Sequence, residues 1–309
     1  MAVTNFLVTS LPAYVQDNQD ILIKNFALVG SDTRSRIALQ TGVKNDAHIN
    51  ILDIRPVLQD GKTCGFNALD EIELSQRLIH APAIKVNGEI CPETLLGKYA
   101  EYLVRVNATE NECPFEEYIL RGLTDELNKK IEKLIWQGDT TSSSTDIKWI
   151  DGILKQVAAD TSIPAGQKVT ITGTTASAMA DITAVYMAAP EEAIERGLLI
   201  FVSPATYRAF IQGLVQANLY HYSGPQDAFP GEWVLPGSDA VVVRTPGLAG
   251  STTIVATFGD NLVYGTDMEG NNEAIDLWWS QDNRVFRYEV KWNSGIAYRF
   301  PAMMAVGTV

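Results

Sequence analysis

The stretch Lys133–Gln156, KLIWQGDTTSSSTDIKWIDGILKQ, joins the end of a strongly helical run to a polar segment and then to a new apolar one. The helical run reaches Trp136 and meets Gly138 and Asp139. Seven Ser, Thr and Asp residues follow, and an apolar segment begins at Ile147. Ser, Thr and Asp favour turns because their side chains bond to the nearby backbone. The stretch therefore predicts a long helix that ends in a solvated loop, with no catalytic group in that loop.

The helix before this loop has clear start and stop signals. Pro114 suits the first helical position, where its missing N–H costs nothing. Glu116 and Glu117 then lie in the first turn, where the helix dipole favours acidic side chains. Gly138 is a good stop, so the predicted helix covers about 114–137, roughly 35 Å at about 1.5 Å per residue. Its apolar positions form one stripe: Phe115, Ile119, Leu123, Leu127, Ile131 and Leu134.

Composition places the chain among ordinary globular proteins. Its 309 residues are 46% hydrophobic and 20% charged, which is enough apolar material for a sizeable core. The net charge of −13 argues against specific binding to duplex nucleic acid, because an acidic chain repels the phosphate backbone. No signal-peptide pattern and no apolar run long enough to span a bilayer occur in the sequence. Cys64, Cys91 and Cys113 include no CxxC pair, so we expect reduced, mostly buried thiols.

Apolar and polar residues alternate along residues 46–90, which predicts two long β-strands. Asp60-Gly61 and Asn87-Gly88 are turn signals within this segment. Because polar residues fill the alternate positions, such a ribbon has little core of its own and needs a partner surface. Its apolar members are Ile49, Ile51, Ile54, Ile72, Leu74, Ile79, Ile84 and Val86.

From about residue 165 the pattern becomes α/β. LLIFVS predicts a buried strand, and SPATYRAFIQGLVQA predicts a helix capped by Ser203 with Pro204 at its start. TASAMADITAVYMAA predicts another helix, and KVTIT, AVVVRT, STTIVATF and NLVYGT predict strands. Residues 266–309 are again β. In RVFRYEVKW one strand face carries Phe286, Tyr288, Val290 and Trp292, and Asn293-Ser294-Gly295 predicts a turn.

A search for chemistry finds no active site. The sequence has no HExxH, GxSxG, Walker A or dinucleotide-binding glycine pattern. His48, His80 and His221 have no cooperating base or nucleophile near them in sequence, so we expect structural roles for them. We therefore predict no catalytic residue, no cofactor and no metal site.

Two further segments have a plain structural interpretation. DMEGNNE, residues 267–273, lacks the spacing of an EF-hand, so a β-turn is favoured over a calcium loop. Trp278 and Trp279 are adjacent, and adjacent strand residues point to opposite faces. We expect one of them in the core and the other at an interface.

The order of these segments resembles the major capsid proteins of tailed bacteriophages, whose fold is shared with encapsulin shells. IWQGD followed by DGIL, IFVSPATYRAF, LPGSDAVVVRTPGL, ATFGDNLVYGTDMEG and the closing RVFRYEVKWNSGIAYRFPAMMAVG are each similar to family segments, and they occur in the family's order. The resemblance covers about residues 45–309. It implies an α+β fold with an N-terminal arm (1–45), an extended β-ribbon loop (46–90), a peripheral domain with a long spine helix (91–160), an axial α/β domain (161–265), and terminal strands that return to the peripheral domain (266–309).

The resemblance implies a structural protein and not an enzyme. Such a chain assembles as pentamers and hexamers into an icosahedral capsid in the host cytoplasm and becomes part of the virion. Its expected partners are portal and scaffolding proteins and genomic DNA enclosed non-specifically, with no membrane. Some family members cross-link a ribbon lysine to a neighbour's asparagine, and Lys62 and Lys85 are the lysines in the ribbon segment; we do not expect this linkage here.

The ribbon, helix-end and terminal-strand assignments predict intersubunit contacts at Ile49, Ile51, Ile72, Leu74, Trp136, Asp139 and Trp278. An encapsulin-like nanocompartment is the first alternative function, and genes for portal and terminase or for an enzyme cargo beside this one would separate the two. An enzyme built on the α/β region is the second. That alternative requires a pocket with a shifted titratable group.

Overall fold

A computed structural model describes residues 33–55, 57–58, 60, 71–91, 115–219, 231–267 and 274–309. Within these ranges the helices are α1 (Phe115–Gln137), α2 (Ile153–Ala159), α3 (Ala178–Ala188), α4 (Glu191–Glu195) and α5 (Pro204–Gln216). The strands are β1 (Ala38–Gln40), β2 (Asn45–Arg55), β3 (Glu71–Ala81), β4 (Ala83–Ile90), β5 (Lys168–Thr170), β6 (Leu198–Val202), β7 (Glu232–Val234), β8 (Val241–Arg244), β9 (Ile254–Phe258), β10 (Leu262–Gly265), β11 (Ala274–Ser280), β12 (Val285–Asn293), β13 (Gly295–Tyr298) and β14 (Ala305–Thr308). The predictions for most of the arm, for Lys62, Cys64, Cys113 and His221, and for a helix after Pro92 fall outside the described residues.

The spine helix α1 ends at Gln137, as the sequence predicts. Leu127, Ile131 and Leu134 of the predicted stripe are buried. They belong to one apolar cluster with Ile84 and Val290 of strands β4 and β12. The helix therefore lies against the inner face of a sheet, which is what makes an amphipathic helix of this length stable.

The loop after α1 closes on itself at two glycines. The Gly152 N–H donates to the Gly138 carbonyl over 2.9 Å. A Cβ on Gly138 would lie 2.5 Å from the Leu134 carbonyl oxygen, and one on Gly152 would lie 2.7 Å from the Trp136 carbonyl oxygen. Only residues without a side chain allow this approach, so the polar segment leaves and re-enters the fold at the helix end.

A six-stranded mixed sheet, in the order β5-β14-β9-β6-β8-β7, forms the α/β part of the fold. Helices α3 and α5 share an apolar cluster with it through Ile182, Val185, Phe210 and Leu214. The Ser203 hydroxyl accepts from the Thr206 N–H, which confirms the predicted cap of α5. Strand β14 lies in a different part of the fold from the one predicted. The sequence assigned all of residues 266–309 to the peripheral domain, but β14 pairs with β5 and β9 inside this sheet.

A second sheet, in the order β11-β12-β4, covers α1. The prediction of a tight turn at Asn87-Gly88 is wrong, because both residues lie inside β4 and pair with Glu289 and Tyr288 of β12. A Cβ on Gly88 would lie 2.5 Å from the Tyr288 hydroxyl oxygen. Glycine is needed there because an aromatic ring lies across the strand, and local sequence cannot show that contact.

Strands β1, β10 and β13 form a third sheet. The predicted turn at Asn293-Ser294-Gly295 is instead a break between β12 and β13, at which the chain passes from one sheet to the next. A Cβ on Gly295 would lie 2.5 Å from the His80 carbonyl oxygen of β3. Gly295 therefore permits close packing at the base of the ribbon.

Strands β2 and β3 pair antiparallel from Asn45 opposite Ala81 to Arg55 opposite Glu71, and they form a sheet of their own. The ribbon thus ends at Ala81, and β4 leaves it to join β12. Ile49, Ile51 and Ile79 form a small apolar cluster with Val263 of β10 and Ala297 of β13. This cluster holds one ribbon face to the body of the protein.

Candidate assembly surfaces

The two faces of the ribbon differ in what they contact. Successive side chains on a strand point to opposite faces, and residues paired across two strands share a face. Ile49 pairs with Arg77 and Ile51 with Ser75 on the inner face, which packs on the body. The outer face carries the alternate pairs: Asp46 with His80, His48 with Leu78, Asn50 with Gln76 and Leu52 with Leu74.

A shielded ion pair fastens the inner face to the body. Arg77 donates to Asp160 Oδ2 over 2.8 Å, and its guanidinium carbon lies 4.6 Å from the ring centroid of Tyr298. The Tyr298 hydroxyl donates to the same oxygen over 2.6 Å. Burial alone would raise the pKa of the Asp160 carboxyl, but hydrogen bonds from Tyr298, Ser162 and Arg77 outweigh it and hold that pKa well below its usual range. Burial and the Asp160 carboxylate together raise the pKa of Tyr298 far above its usual value.

The outer face is exposed and carries three leucines among polar residues. Leu52 is 56% exposed and Leu74 is 68% exposed, and the two lie directly opposite each other. Leu78 on the same face is 52% exposed. Between them the Gln76 amide donates to Asn50 over 2.9 Å. A two-stranded ribbon has only marginal stability in water. Covering its exposed leucines would therefore stabilise it.

Two of the intersubunit contacts predicted on the ribbon do not hold. Ile49 and Ile51 are 6% and 7% exposed, because they pack on β10 and β13 of their own chain and have almost no surface left for a neighbour. Leu74 is available, and its role as an intersubunit contact stays a prediction. Leu52 and Leu78 are outer-face residues that sequence reasoning did not select. The side chain of Ile72 lies outside the described residues.

The predicted intersubunit contact at Trp136 does not hold either, because this residue is fully buried within the chain. Its indole N–H donates to the Thr33 hydroxyl over 2.9 Å, and its ring lies 5.0 Å from that of Phe201. The Thr33 hydroxyl in turn donates to Glu132 of α1. Trp136 therefore joins the spine helix, the segment before β1 and the six-stranded sheet, and it presents nothing to another subunit.

The polar loop after α1 is exposed and held by charges. Lys155 lies 2.7 Å from Asp139 Oδ1 and 2.7 Å from Asp151 Oδ1. The Asp139 N–H donates to the Ile147 carbonyl over 2.8 Å. Hydrogen bonds from Lys155 and from Thr141 lower the pKa of Asp139 to about 2. The loop is thus preformed and solvated, as predicted, and a contact between Asp139 and a neighbour stays a prediction.

Trp278 and Trp279 lie on opposite faces of β11, as their adjacency predicts. Trp279 packs edge-on against Phe286, with ring centroids 4.9 Å apart, whereas Trp278 is 44% exposed. Trp278 shares its face with charged pairs, among them Arg287 with Glu89 at 2.9 Å. An exposed tryptophan beside charges is typical of a contact surface, so Trp278 remains a predicted contact.

Cys91 is exposed at the end of β4, so the prediction that the thiols are mostly buried does not hold for this residue. The two described histidines lie on the ribbon, where the His80 ring lies 2.6 Å from Asp46. In the described part of the chain, no group of three or more His, Cys, Asp or Glu residues is arranged to hold a metal. The same ranges contain no helix long and apolar enough to cross a membrane.

A groove of about 1050 Å³ lies between the ribbon and the body, lined in part by Arg77, Gln156, Arg196 and Phe300. The largest pKa shifts lie beside it, at Asp160 and Tyr298. Hydrogen bonds from Tyr298, Ser162 and Arg77 account for the lowered pKa of Asp160, and burial together with the Asp160 carboxylate accounts for the raised pKa of Tyr298. The enzyme alternative requires a pocket with a shifted titratable group on the α/β region, where burial raises the pKa of Tyr207.

The described residues form a body of three sheets with a spine helix, and a two-stranded ribbon that carries exposed leucines. The protein has the fold shared by phage capsid proteins and encapsulin shells. A chain of the satellite phage P4 procapsid, in a structure that includes the size determination (Sid) protein, matches with a TM-score of 0.58 at 14% identity, over 95% of this chain and 98% of that one. The capsid of an empty GTA particle matches with a TM-score of 0.56 at 10% identity, over 90% and 89%.

A chain of the holo-SrpI encapsulin complex from Synechococcus elongatus matches with a TM-score of 0.51 at 12% identity, over 88% of this chain and 84% of that one. No family model and no curated protein matches the sequence. At these identities the similarity establishes the fold. It confirms the resemblance that the order of segments suggested.

Proposed function

We propose that this protein is the structural shell subunit of a tailed-phage capsid, which self-assembles as pentamers and hexamers around a genome. The observation that carries the proposal is the outer face of the ribbon, where Leu52, Leu74 and Leu78 are each more than half exposed. A neighbouring subunit that covered this face would supply the core that the ribbon lacks. The capsid and encapsulin chains of the same fold come from assembled particles.

In this proposal the chain is not an enzyme, and its site is a contact surface. The six-stranded sheet and its helices form the wedge around the five- and six-fold axes, while the ribbon extends over an adjacent subunit. The net charge of −13 suits a container, because an acidic wall does not hold the genome tightly. The further proposed partners are portal and scaffolding proteins, with assembly in the host cytoplasm and incorporation into the virion.

Negative-stain electron microscopy of the chain after size exclusion tests the proposal. Closed shells, or rings of five or six subunits, are the expected result. A chain that stays a monomer or dimer, even with a scaffolding or portal partner added, would contradict it.

A pair of variants at one position connects the assembly to the ribbon. Leu74→Asp should abolish shells and rings, because a buried unpaired charge would oppose docking of the outer face. Leu74→Met keeps an apolar side chain of similar volume and should assemble. Both should keep the melting temperature of the unassembled chain, since Leu74 is 68% exposed. If Leu74→Asp formed normal particles, the ribbon would not be the contact.

An encapsulin-like nanocompartment is the alternative, and it is favoured by the match to an encapsulin chain. Particles purified from the native host distinguish the two. Nuclease-protected genomic DNA inside the shell supports the capsid, whereas a single enzyme copurifying inside shells without DNA supports the nanocompartment.

A further inference from the structure

Asp267 and Asn293 are buried polar residues with unpaired oxygens. Asp267 has no exposed surface, and Asn293 is 2% exposed. Within the described ranges, the two carboxylate oxygens of Asp267 have no hydrogen-bond partner. The side-chain oxygen of Asn293 has none there either. An isolated buried carboxylate is strongly unfavourable, so native structures pair such groups or place them on a cation.

The segments that carry the two residues lie side by side. Gly265 pairs with Gly295 at the end of the β10–β13 ladder. Asp267 follows this pair by two residues on one segment, and Asn293 precedes it by two residues at the end of β12. The Thr266 hydroxyl donates to the Asn293 carbonyl over 2.9 Å, which confirms that the two segments remain adjacent beyond the ladder.

The hydroxyl groups of the neighbouring Ser294 and Thr266 donate elsewhere. The Ser294 hydroxyl donates to the Tyr264 hydroxyl over 3.1 Å, and the Thr266 hydroxyl donates to the Asn293 carbonyl. The Thr266 N–H donates to the Gln40 carbonyl over 3.0 Å, and the Thr266 carbonyl accepts from Val43. Two buried side chains thus offer three acceptor oxygens, while these two hydroxyls donate to other groups.

We propose that Asp267 and Asn293 are ligands of a bound divalent cation of the calcium class. Calcium accepts carboxylate and amide oxygens in irregular arrangements, whereas magnesium requires near-octahedral geometry and zinc prefers nitrogen and sulfur. One carboxylate gives a site of low charge, for which dissociation constants of about 0.1–1 mM are typical. The cation would link the segment after β10 to the end of β12, next to the segment that leads into the ribbon.

Thermal unfolding of the full chain, stripped with chelator and titrated at constant ionic strength, tests the site. Calcium chloride should raise the melting temperature saturably, with half of the effect near about 1 mM and a rise of about 2–4 °C at ten times the dissociation constant. Magnesium chloride should give less than half of that shift. A melting temperature that did not respond to calcium would overturn the proposal.

Variants assign the effect to the proposed ligands. Asp267→Asn preserves shape but removes the charge and one ligand oxygen, and it should lose the calcium response. Asp282→Asn, in the exposed turn after β11, is the matched control and should keep the response. An equal calcium shift in Asp267→Asn would place the ion elsewhere and overturn the proposal.

Terbium luminescence provides a readout that does not depend on unfolding. Terbium replaces calcium and is excited through nearby aromatic rings, and Trp292 and Tyr264 lie beside the two ligands in sequence. The unaltered chain should show emission that calcium displaces, and Asp267→Asn should not. Emission that calcium cannot displace would count against the site. The melting and luminescence measurements do not require particles to form. Their outcome is therefore independent of the proposed function.

Discussion

The ion pair between Arg77 and Asp160 fastens the root of the ribbon, and Arg77→Met should loosen it. Methionine keeps much of the apolar length of arginine but removes the charge and the donors. Arg77 is 27% exposed and Asp160 is 13% exposed, so the pair is partly shielded from solvent. After the change Asp160 keeps its hydrogen bonds from Tyr298 and Ser162. The variant should therefore fold, with a ribbon that opens more often.

The size of the effect follows from the contacts that are lost. A hydrogen bond to a charged group contributes about 1.5–3 kcal/mol. Since about 1.4 kcal/mol corresponds to a factor of ten, opening of the ribbon root should become about 10- to 150-fold more frequent. Loss of the cation–π contact with Tyr298 should further increase the frequency of opening.

Hydrogen exchange measured by mass spectrometry on the full chain reports this opening. Peptides from β2 and β3 should exchange faster in Arg77→Met, while peptides from β6, in the centre of the six-stranded sheet, should not change. The comparison belongs in the Leu74→Asp background, so that a neighbouring subunit cannot protect the ribbon. Arg287→Met is the control. Its pair with Glu89 is 37% and 53% exposed, and exposed pairs contribute at most about 1 kcal/mol.

Two results would refute this reasoning. Unchanged exchange in the ribbon of Arg77→Met would mean that the inner apolar cluster alone holds it. Equal acceleration in the ribbon and in β6 would mean that the variant destabilises the whole chain, so that the pair is not a local fastener.

Trp136→Ala should lower the free energy of unfolding by about 3–5 kcal/mol, because a fully buried indole and its bond to Thr33 are lost; urea denaturation measures this, and a loss below about 1 kcal/mol would place Trp136 outside the core. Lys155→Met should raise the pKa of Asp139 from about 2 toward the ordinary 3.8, as followed by NMR titration of its carboxyl. The depressed pKa in the unaltered chain means that this pair stabilises the loop above about pH 4 and that the contribution disappears as the pH falls toward 2. A pKa that Lys155→Met left unchanged would assign the shift to Thr141 alone.

Local patterns in the sequence predict the elements that local physics determines. The stripe from Leu127 to Leu134, the stop at Gly138 and the cap at Ser203 each depend on neighbours within a few residues, and the structure has all three. Alternation in the ribbon predicts strands equally well. It does not say which face turns inward, because both faces carry aliphatic residues; Ile49 and Leu74 therefore received the same assignment and have opposite environments.

The remaining errors come from contacts between distant parts of the chain. Asn87-Gly88 has the composition of a turn, but the glycine is required by the Tyr288 ring that lies across it. Trp136 appears at the end of a helix next to a solvated loop, and its burial depends on Thr33 and Phe201, which lie far away in sequence. Neither partner has a local signature. The intersubunit surface therefore stays a prediction, from which Ile49, Ile51 and Trp136 are removed because they are buried within their own chain.

The position of β14 has a consequence for synthesis of the chain on the ribosome. Strand β5 pairs with β14, and β14 is the last described strand to be translated, more than a hundred residues after β5. The nascent chain must therefore hold Lys168–Thr170 without their ladder until residues 305–308 have emerged. Pairing over such separations is slow, and incomplete sheets aggregate readily. The six-stranded sheet is thus completed only after the rest of the described fold has been translated, and until then the edge of β9 that pairs with β14 stays open.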